Sequence, residues 1–455
     1  MKNNSVESVD FLFEYEVRNR ELDSICLIGA YLESKGYTIG FVNSWDSLFN
    51  NPPMYDAKVM VISACYNDGT YDYFCSHAYK FDKVVNMQWE QVLCNSVVYS
   101  KEPSSWDYSG DALNTRHICW GINEKEYLVN RFQFDPDRLE ICGYIPLDFY
   151  RKEFRNTTPD RKSLFEKYGL DSKKKTILFV SSFTWIGLPK SEEAIGDEEQ
   201  KNKERQLHID SQAEILDWFI RYLKENEDVQ IIYRPHPAEA KNEKLRELSN
   251  VIDNFYVIPD EGIRNWIINC DILCNWQSTS MIEMFVSEKP VYLLRPVKIP
   301  FDLEMPIFDE KRIEPIESYE GFNRALLGNN QKTFPIPEVD VLQFYDINDE
   351  PVYKRIGDYL IKTLKDDKYH SRKVNKTIFD IDSEYRRVRR NIGAKIMTIV
   401  NLVFSNGEKI TMNNLNEKIA HNNYFIAKMK QNGVSGKELH DKIKLYKSII
   451  EKSDY

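Results

Sequence analysis

The stretch DVQIIYRPHPAEAKNEKL, residues 228–245, decides how the fold is read. Its opening part, VQIIY, is short, apolar and rich in β-branched residues, as strands buried on both faces are. Its later part, AEAKNEKLREL with the residues that follow, has helical composition, and Arg234-Pro235-His236-Pro237 stands at the junction. The alternation runs outward from there. TILFV, VQIIY, FYVIP, DILCNW and PVYLL read as strands, separated by the helix-like SQAEILDWFIRYLKENE, the helix after His236, GIRNWIINC and MIEMFVSE. Strand and helix in strict alternation predict a parallel sheet with helices on its faces.

A first unit of the same kind precedes it, from Ser24 to about Pro146, carried by ICLIGAYLESKGYTIGFV, AKVMVISACY, KVVNMQW, TRHICWG and RLEICGY. Residues 151–175 are charged and read as a hinge region, after which the pattern restarts. The expected division is an N-terminal Rossmann-like domain over 1–155, a second over 156–345 and a helical region over 346–455. Two such α/β domains facing a central cleft would place a ligand at the carboxyl ends of both sets of strands. Residues 185–208, WIGLPKSEEAIGDEEQKNKERQLH, are charged and poor in apolar groups and read as an exposed insertion, with a lid over the cleft as the alternative. Within the C-terminal region, residues 383–404 set Tyr385, Val388, Ile392, Ile396, Ile399 and Val403 three and four apart behind an arginine cluster. This is a basic amphipathic helix, suited to packing on the protein or to peripheral contact with an anionic inner-membrane surface.

The chain has 455 residues, 42% hydrophobic and 29% charged, with a formal net charge of −10 and pI near 5.5. That balance argues against nucleic acid as a partner and requires any anion site to be built locally. Eight cysteines are scattered through apolar runs without zinc-like spacing and read as reduced thiols. No stretch approaches the length of a membrane span and MKNNSVESVD lacks an apolar targeting core, so the expected location is cytoplasmic.

Three strand-to-helix junctions of the second unit carry polar groups. At the first, Pro237 is expected near the first helical turn and His236 near the cap, so that free N–H groups, Arg234 and His236 together suit a phosphate. At the second, Gln277-Ser278-Thr279-Ser280 follows DILCNW, with Ser280 and Glu283 spaced as a capping box and Glu283 within reach of a ribose. At the third, Ser181 and Ser182 follow TILFV. One such junction is explained by helix capping alone, whereas three in one domain suggest a phosphate site.

RPHP after a strand, the NW of IRNWI, and DILCNWQSTSMIEMFVSEKPV resemble the C-terminal half of a broad bacterial family of surface-carbohydrate biosynthesis proteins and glycosyltransferases of GT-B architecture. It includes CMP-sugar users, among them Kdo and sialyl transferases with an HP motif, and CDP-glycerol glycerophosphotransferases. CWG at 119–121 and PDRLEICGYIPLDFY at 136–150 are similar to its first half, so the resemblance spans about residues 24–300. It implies that His236 and the hydroxyls of Ser278, Thr279 and Ser280 hold the donor phosphate as it leaves. It also implies an acidic residue or histidine from the first domain as base. The candidate is Glu90, in Asn86-Met87-Gln88-Trp89-Glu90-Gln91 at the end of KVVNMQW, with His117 and Asp68 as rivals; Asp260-Glu261-Gly262 reads as a turn.

The reading is a metal-independent, inverting glycosyltransferase without a cofactor, since the cleft-forming segments lack a DxD triplet. It would use a nucleotide-sugar donor, CMP-sugar first, and a glycan or glycolipid acceptor such as lipopolysaccharide or capsule. The alternatives are a CDP-polyol phosphotransferase and a noncatalytic nucleotide- or glycan-binding subunit. The aromatic content of 13% suits sugar stacking or ordinary core equally.

Overall fold

A computed structural model describes residues 6–45, 54–101, 104, 106–186, 198–236, 239, 242–308, 311–328, 333–374 and 431–453. The chain divides into two compact units. Unit 1 comprises Met1–Gln91, Pro103–Ile145 and Tyr345–Tyr455, and unit 2 comprises Val92–Glu102 and Pro146–Phe344. The boundaries therefore fall at 145/146 and 344/345, and two segments lie outside the simple order expected from the sequence. Val92–Glu102 joins unit 2, where Asn95 N–H donates to the Glu304 carbonyl (2.7 Å) and Asn95 Nδ2 to the Phe301 carbonyl (2.8 Å). The region after Tyr345 joins unit 1 and does not stand apart as a third body.

Unit 1 is built on six parallel strands. These are β1 (Val6–Tyr15), β2 (Ile39–Asn43), β3 (Met54–Ile62), β4 (Lys80–Asn86), β5 (Arg116–Cys119) and β6 (Leu139–Ile141), in the order β2-β1-β3-β4-β5-β6. Its helices are α1 (Arg18–Ser34), α2 (Asp68–Cys75) and α4 (Ile122–Phe132), with α12 (Val352–Lys365) and α13 (Gly436–Ser453) from the C-terminal region. The first strand departs from the expectation that the pattern begins at Ser24. VESVDFLFEY hides its strand character behind acidic residues, yet it lies between β2 and β3, and its Glu14 is buried against the Ser44 and Ser63 hydroxyls. Unit 1 is centred on Leu12, Met60, Val84, Phe81, Tyr71 and Leu128.

The C-terminal helices close one face of this sheet. Tyr31 Oη on α1 donates to Asp358 on α12 (2.6 Å), Tyr369 Oη donates to the Val84 carbonyl (2.6 Å), and Lys442 on α13 pairs with Asp23 (2.5 Å). Gly357 marks how closely α12 approaches, because a β-carbon there would lie 2.3 Å from the Tyr31 ring. The basic amphipathic segment 383–404 lies outside the described residues, and no helix among those described is long and apolar enough to cross a membrane.

Unit 2 carries five parallel strands, β7 (Lys175–Val180), β8 (Val229–Arg234), β9 (Phe255–Val257), β10 (Ile272–Asn275) and β11 (Val291–Leu293), in the order β11-β10-β7-β8-β9. Its helices are α3 (Asn95–Val98), α5 (Arg161–Tyr168), α6 (Glu198–Glu225), α7 (Glu243–Val251), α8 (Ile263–Asn269), α9 (Met281–Val286), α10 (Tyr319–Leu327) and α11 (Glu338–Phe344). Here too one expectation is corrected. Residues 198–208, read as part of an exposed insertion, form the first turns of the 28-residue α6. That helix turns Leu207 and His208 inward and its charged residues outward, the pattern of an amphipathic helix rather than a loop. Residues 187–197 lie outside the description. The core gathers Phe179, Phe183, Phe219, Tyr233, Trp276 and Phe322.

Candidate anion site at the strand ends of unit 2

The chain leaves β7 through β8 to β9 on one side of the sheet and then returns to place β10 and β11 on the other side of β7. The strand order therefore reverses between β7 and β10, and in open parallel sheets ligands bind outside the carboxyl ends of the strands at such a point. The register makes the ends level, since Asn275 on β10 is opposite Val180 on β7, and Val180 is opposite Arg234 on β8. Ser181-Ser182, Pro235-His236 and Gln277 to Ser280 thus emerge side by side from three adjacent strands. These are the three junctions singled out in the sequence.

Their local geometry differs from simple helix capping. The helix expected after His236, α7, begins at Glu243 with Asn242 as its cap residue. Glu239 donates its N–H to the His236 carbonyl (2.8 Å). Its buried carboxylate contacts Ser181 Oγ, Gln212 Nε2 and Tyr233 Oη and accepts the His236 N–H (3.3 Å). The capping box expected between Ser280 and Glu283 is also absent. Ser280 Oγ meets Ser278 Oγ (2.9 Å), and Glu283 accepts the Tyr150 hydroxyl (2.9 Å), so neither side chain caps the other's backbone. The loop is held by Asn275 Oδ1, which accepts the Ser278 N–H (2.9 Å). Thr279 is exposed, while Gln277 turns away to the Leu303 carbonyl (2.7 Å).

Charge is placed beneath the row. Arg234 donates through Nη2 to the Glu261 carbonyl (3.1 Å); burial pulls its pKa down, and nearby Glu283 acts in the opposite direction. Burial pushes Glu283 up to about 7 against the influence of Tyr150, Arg264 and Arg234, and pushes Glu239 to about 7 as well. His208 reaches the site from α6, where it packs edge-on against Trp276 and Phe183 and accepts the Trp185 N–H (3.5 Å). Burial, with a smaller effect from His236, lowers its pKa to about 4. Several buried groups at these strand ends have no hydrogen-bond partner among the described residues: Ser182 Oγ, Arg234 Nε, Asn275 Nδ2 and Trp276 Nε1. Apart from the serine hydroxyl, which can donate or accept, each is a donor.

Sequence reasoning missed Glu239 and His208. Glu239 looked like a helical surface residue, and its position three residues beyond His236 was the only available signal. His208 was assigned to the insertion.

In unit 1 the expected base, Glu90, follows β4 with a half-exposed side chain paired to Arg20 Nη1 (2.8 Å). Two residues earlier Gln88 holds φ at 36°, a strained value for a residue with a β-carbon, and its amide contacts Tyr66 Oη and the Glu90 carbonyl (3.1 Å). His117 is fully buried, with its pKa lowered to about 3 by burial, and its Nε2 is 3.8 Å from Glu124, which burial raises to about 8. Asp68 opens α2 and accepts the Asp111 N–H (2.6 Å). Gly110 makes room for this contact, since at its φ of +58° a β-carbon would stand 2.1 Å from Asp68 Oδ1. His117 is thus enclosed with its Nε2 lacking a hydrogen-bond partner among the described residues, and Asp68 is engaged with the Asp111 main chain. The chain bends at Glu261 within Asp260-Glu261-Gly262, with Glu261 at φ 68° and held by Lys167 (2.5 Å). Among the described residues no group of three or more His, Cys, Asp or Glu is placed to hold a metal ion.

No family model matches the chain, and comparison with curated proteins finds no match either. Solved structures do match. A variant of the wall teichoic acid polymerase TagF superposes with a TM-score of 0.51 at 14% identity, over 79% of this chain and 90% of that one. The chain has the GT-B fold. Methanocaldococcus jannaschii UDP-GlcNAc 2-epimerase in complex with UDP-GlcNAc and UDP gives a TM-score of 0.50 at 11% identity, over 78% of this chain and 99% of that one. At these identities the likeness concerns architecture.

Proposed function

We propose that this GT-B protein is a transferase that uses a nucleotide-activated donor, with unit 2 binding the donor's phosphates. The observation that carries the reading is the level row of Ser182, His236 and Ser278 to Ser280 at the reversal of strand order. Hydroxyl and imidazole donors fixed there gain strength as negative charge develops on a departing nucleotide. His236 stabilises the leaving phosphate, Ser182, Ser278, Thr279 and Ser280 hydrogen-bond to it, and Arg234 supplies positive charge from below. Glu283, tied to Tyr150 and close to Arg234, reaches the nucleoside side of the site. Glu90 removes the proton from the acceptor hydroxyl, and the strained Gln88 beside it supports a functional reading of that turn.

The transferred group is a sugar, the first donor to test is cytidine-linked, and the acceptor is a surface glycan or glycolipid. The phosphates are balanced by side chains, so chelation by EDTA should leave the rate unchanged. A thermal-shift panel of CMP-, CDP-, UDP- and GDP-linked donors tests the reading. Stabilisation by one nucleotide class is expected, and failure of all of them would sink it. Product analysis then separates a glycoside, the outcome expected here, from the phosphodiester of a polyol-phosphate transferase. Nucleotide binding without transfer would mark a binding subunit.

A further inference from the structure

The surroundings of Glu239 carry a further inference, which rests on the anion-site reading of the same strand ends. Its carboxylate joins four pieces of unit 2: Ser181 after β7, Gln212 on α6, Tyr233 on β8 and the His236 main chain. Tyr233 Oη also contacts Ser181 Oγ (3.1 Å), and Ser181 Oγ accepts the Phe183 N–H (3.3 Å). The Ser181 hydroxyl has a single hydrogen. While that hydrogen points at an ionised Glu239, Ser181 offers an incoming anion only lone pairs.

We propose that Glu239 is a proton-linked positioning residue: binding of an anion at these strand ends takes up one proton at Glu239, which reverses the Ser181 hydroxyl toward the anion. The bookkeeping is simple. A solvent proton adds to Oε2, the new O–H donates to Ser181 Oγ, and the serine hydrogen is freed to donate outward.

Charge and burial favour this exchange. No lysine or arginine among the described residues bonds to Glu239, whereas Glu283, the other buried carboxylate nearby, has Arg264 and Arg234 beside it. The titratable group facing Glu239 is Tyr233 from β8; His236 meets it through its main-chain N–H, with His208 of α6 next to His236. Burial raises Tyr233 well above its usual range, keeping it neutral, and holds His208 neutral by lowering it to about 4. Glu239 itself stands at about 7, so a modest change in nearby charge changes its protonation.

Calorimetry in buffers of differing ionisation enthalpy measures the proton directly. Suitable probes do not titrate near neutrality: inorganic sulfate, UDP-GlcNAc and a CDP-linked polyol. For the wild type at pH 8, uptake approaching one proton per anion is expected, with affinity falling about tenfold from pH 6 to pH 8. Glu239→Gln, whose amide nitrogen can donate to Ser181 although it cannot also accept the His236 N–H as the acid's oxygen does, should bind with an affinity that changes little between pH 6 and pH 8 and with uptake near zero. Uptake that persists in Glu239→Gln would assign the proton to His236 or another group and overturn the inference. Zero uptake in the wild type overturns it without any variant, so a poorly folding Glu239→Gln leaves it falsifiable. Sulfate-linked uptake without binding of either nucleotide compound would uphold the inference and remove the donor reading. Failure of all three probes to bind would overturn both.

Discussion

The two sheets end in different side chains. Both are parallel, and both reverse their strand order beside the first strand of the unit, between β1 and β3 in unit 1 and between β7 and β10 in unit 2. In unit 2 the ends carry a row of hydroxyls, His236 and Arg234; buried donors lacking partners among the described residues occur in both units, Asn43 Nδ2 and Trp89 Nε1 in unit 1 and Asn275 Nδ2 and Trp276 Nε1 in unit 2. In unit 1 they carry buried acids. Glu14 is raised well above the carboxylate range by burial, Glu124 to about 8, and Glu21 is raised too although Arg20 pairs with it (2.7 Å). Buried acids are common to both, since Glu239 and Glu283 lie at the ends of unit 2; what unit 2 adds is the row of Ser182, His236 and Ser278 to Ser280 with Arg234 beside it. The same topology thus supplies a place for a ligand, and the residues after each strand decide its charge.

The contrast can be broken in order of expected effect. Glu90→Gln should lower the transfer rate about 10²–10⁴-fold, the range for loss of a general base, while nucleotide affinity measured by calorimetry stays within experimental error. An active Glu90→Gln enzyme would take the base away from that turn. His236→Ala should weaken nucleotide binding by about 10–100-fold, as loss of a hydrogen bond to a charged group does, whereas Asp68→Asn in unit 1 should leave it unchanged. Equal losses in both variants would erase the distinction between the units.

The buried acids make a prediction of their own. The folded-state pKa values of Glu124, Glu239 and Glu283 lie near 8, 7 and 7, above the ordinary carboxylate value of 4.5. Their stabilising contribution is therefore fully present below the unfolded value and is lost as pH rises through 7 and 8. The Tm of the ligand-free protein should fall by several degrees between pH 6 and pH 9, and Glu124→Gln should flatten part of that fall. A Tm that rises over this range would contradict the burial of these acids. The smallest effect is expected at Thr279, which is exposed at the edge of the row; Thr279→Ala should cost about twofold to tenfold in nucleotide affinity.

Much of the fold was legible because buried parallel strands announce themselves as short apolar runs, and TILFV, VQIIY and DILCNW are strands in the structure. β1 was not, since the acids in VESVDFLFEY resemble a solvated segment until Ser44 and Ser63, distant in sequence, are seen to bury Glu14. The row of junctions could be read from residue types at strand ends, but not what each side chain does there. Ser280 and Glu283 have capping-box spacing, yet Tyr150, 133 positions before Glu283, claims the carboxylate. Glu239 is buried through partners after β7, on α6 and on β8 that no local pattern reveals, and α7 begins only at Glu243.

The most direct measurement is a crystal structure of the protein with a cytidine or uridine diphosphate-linked donor. The account predicts the phosphates at the ends of β7, β8 and β10, within hydrogen-bonding distance of His236, Ser182 and at least one of Ser278 to Ser280. Phosphates bound elsewhere, with this row left facing solvent, would contradict it.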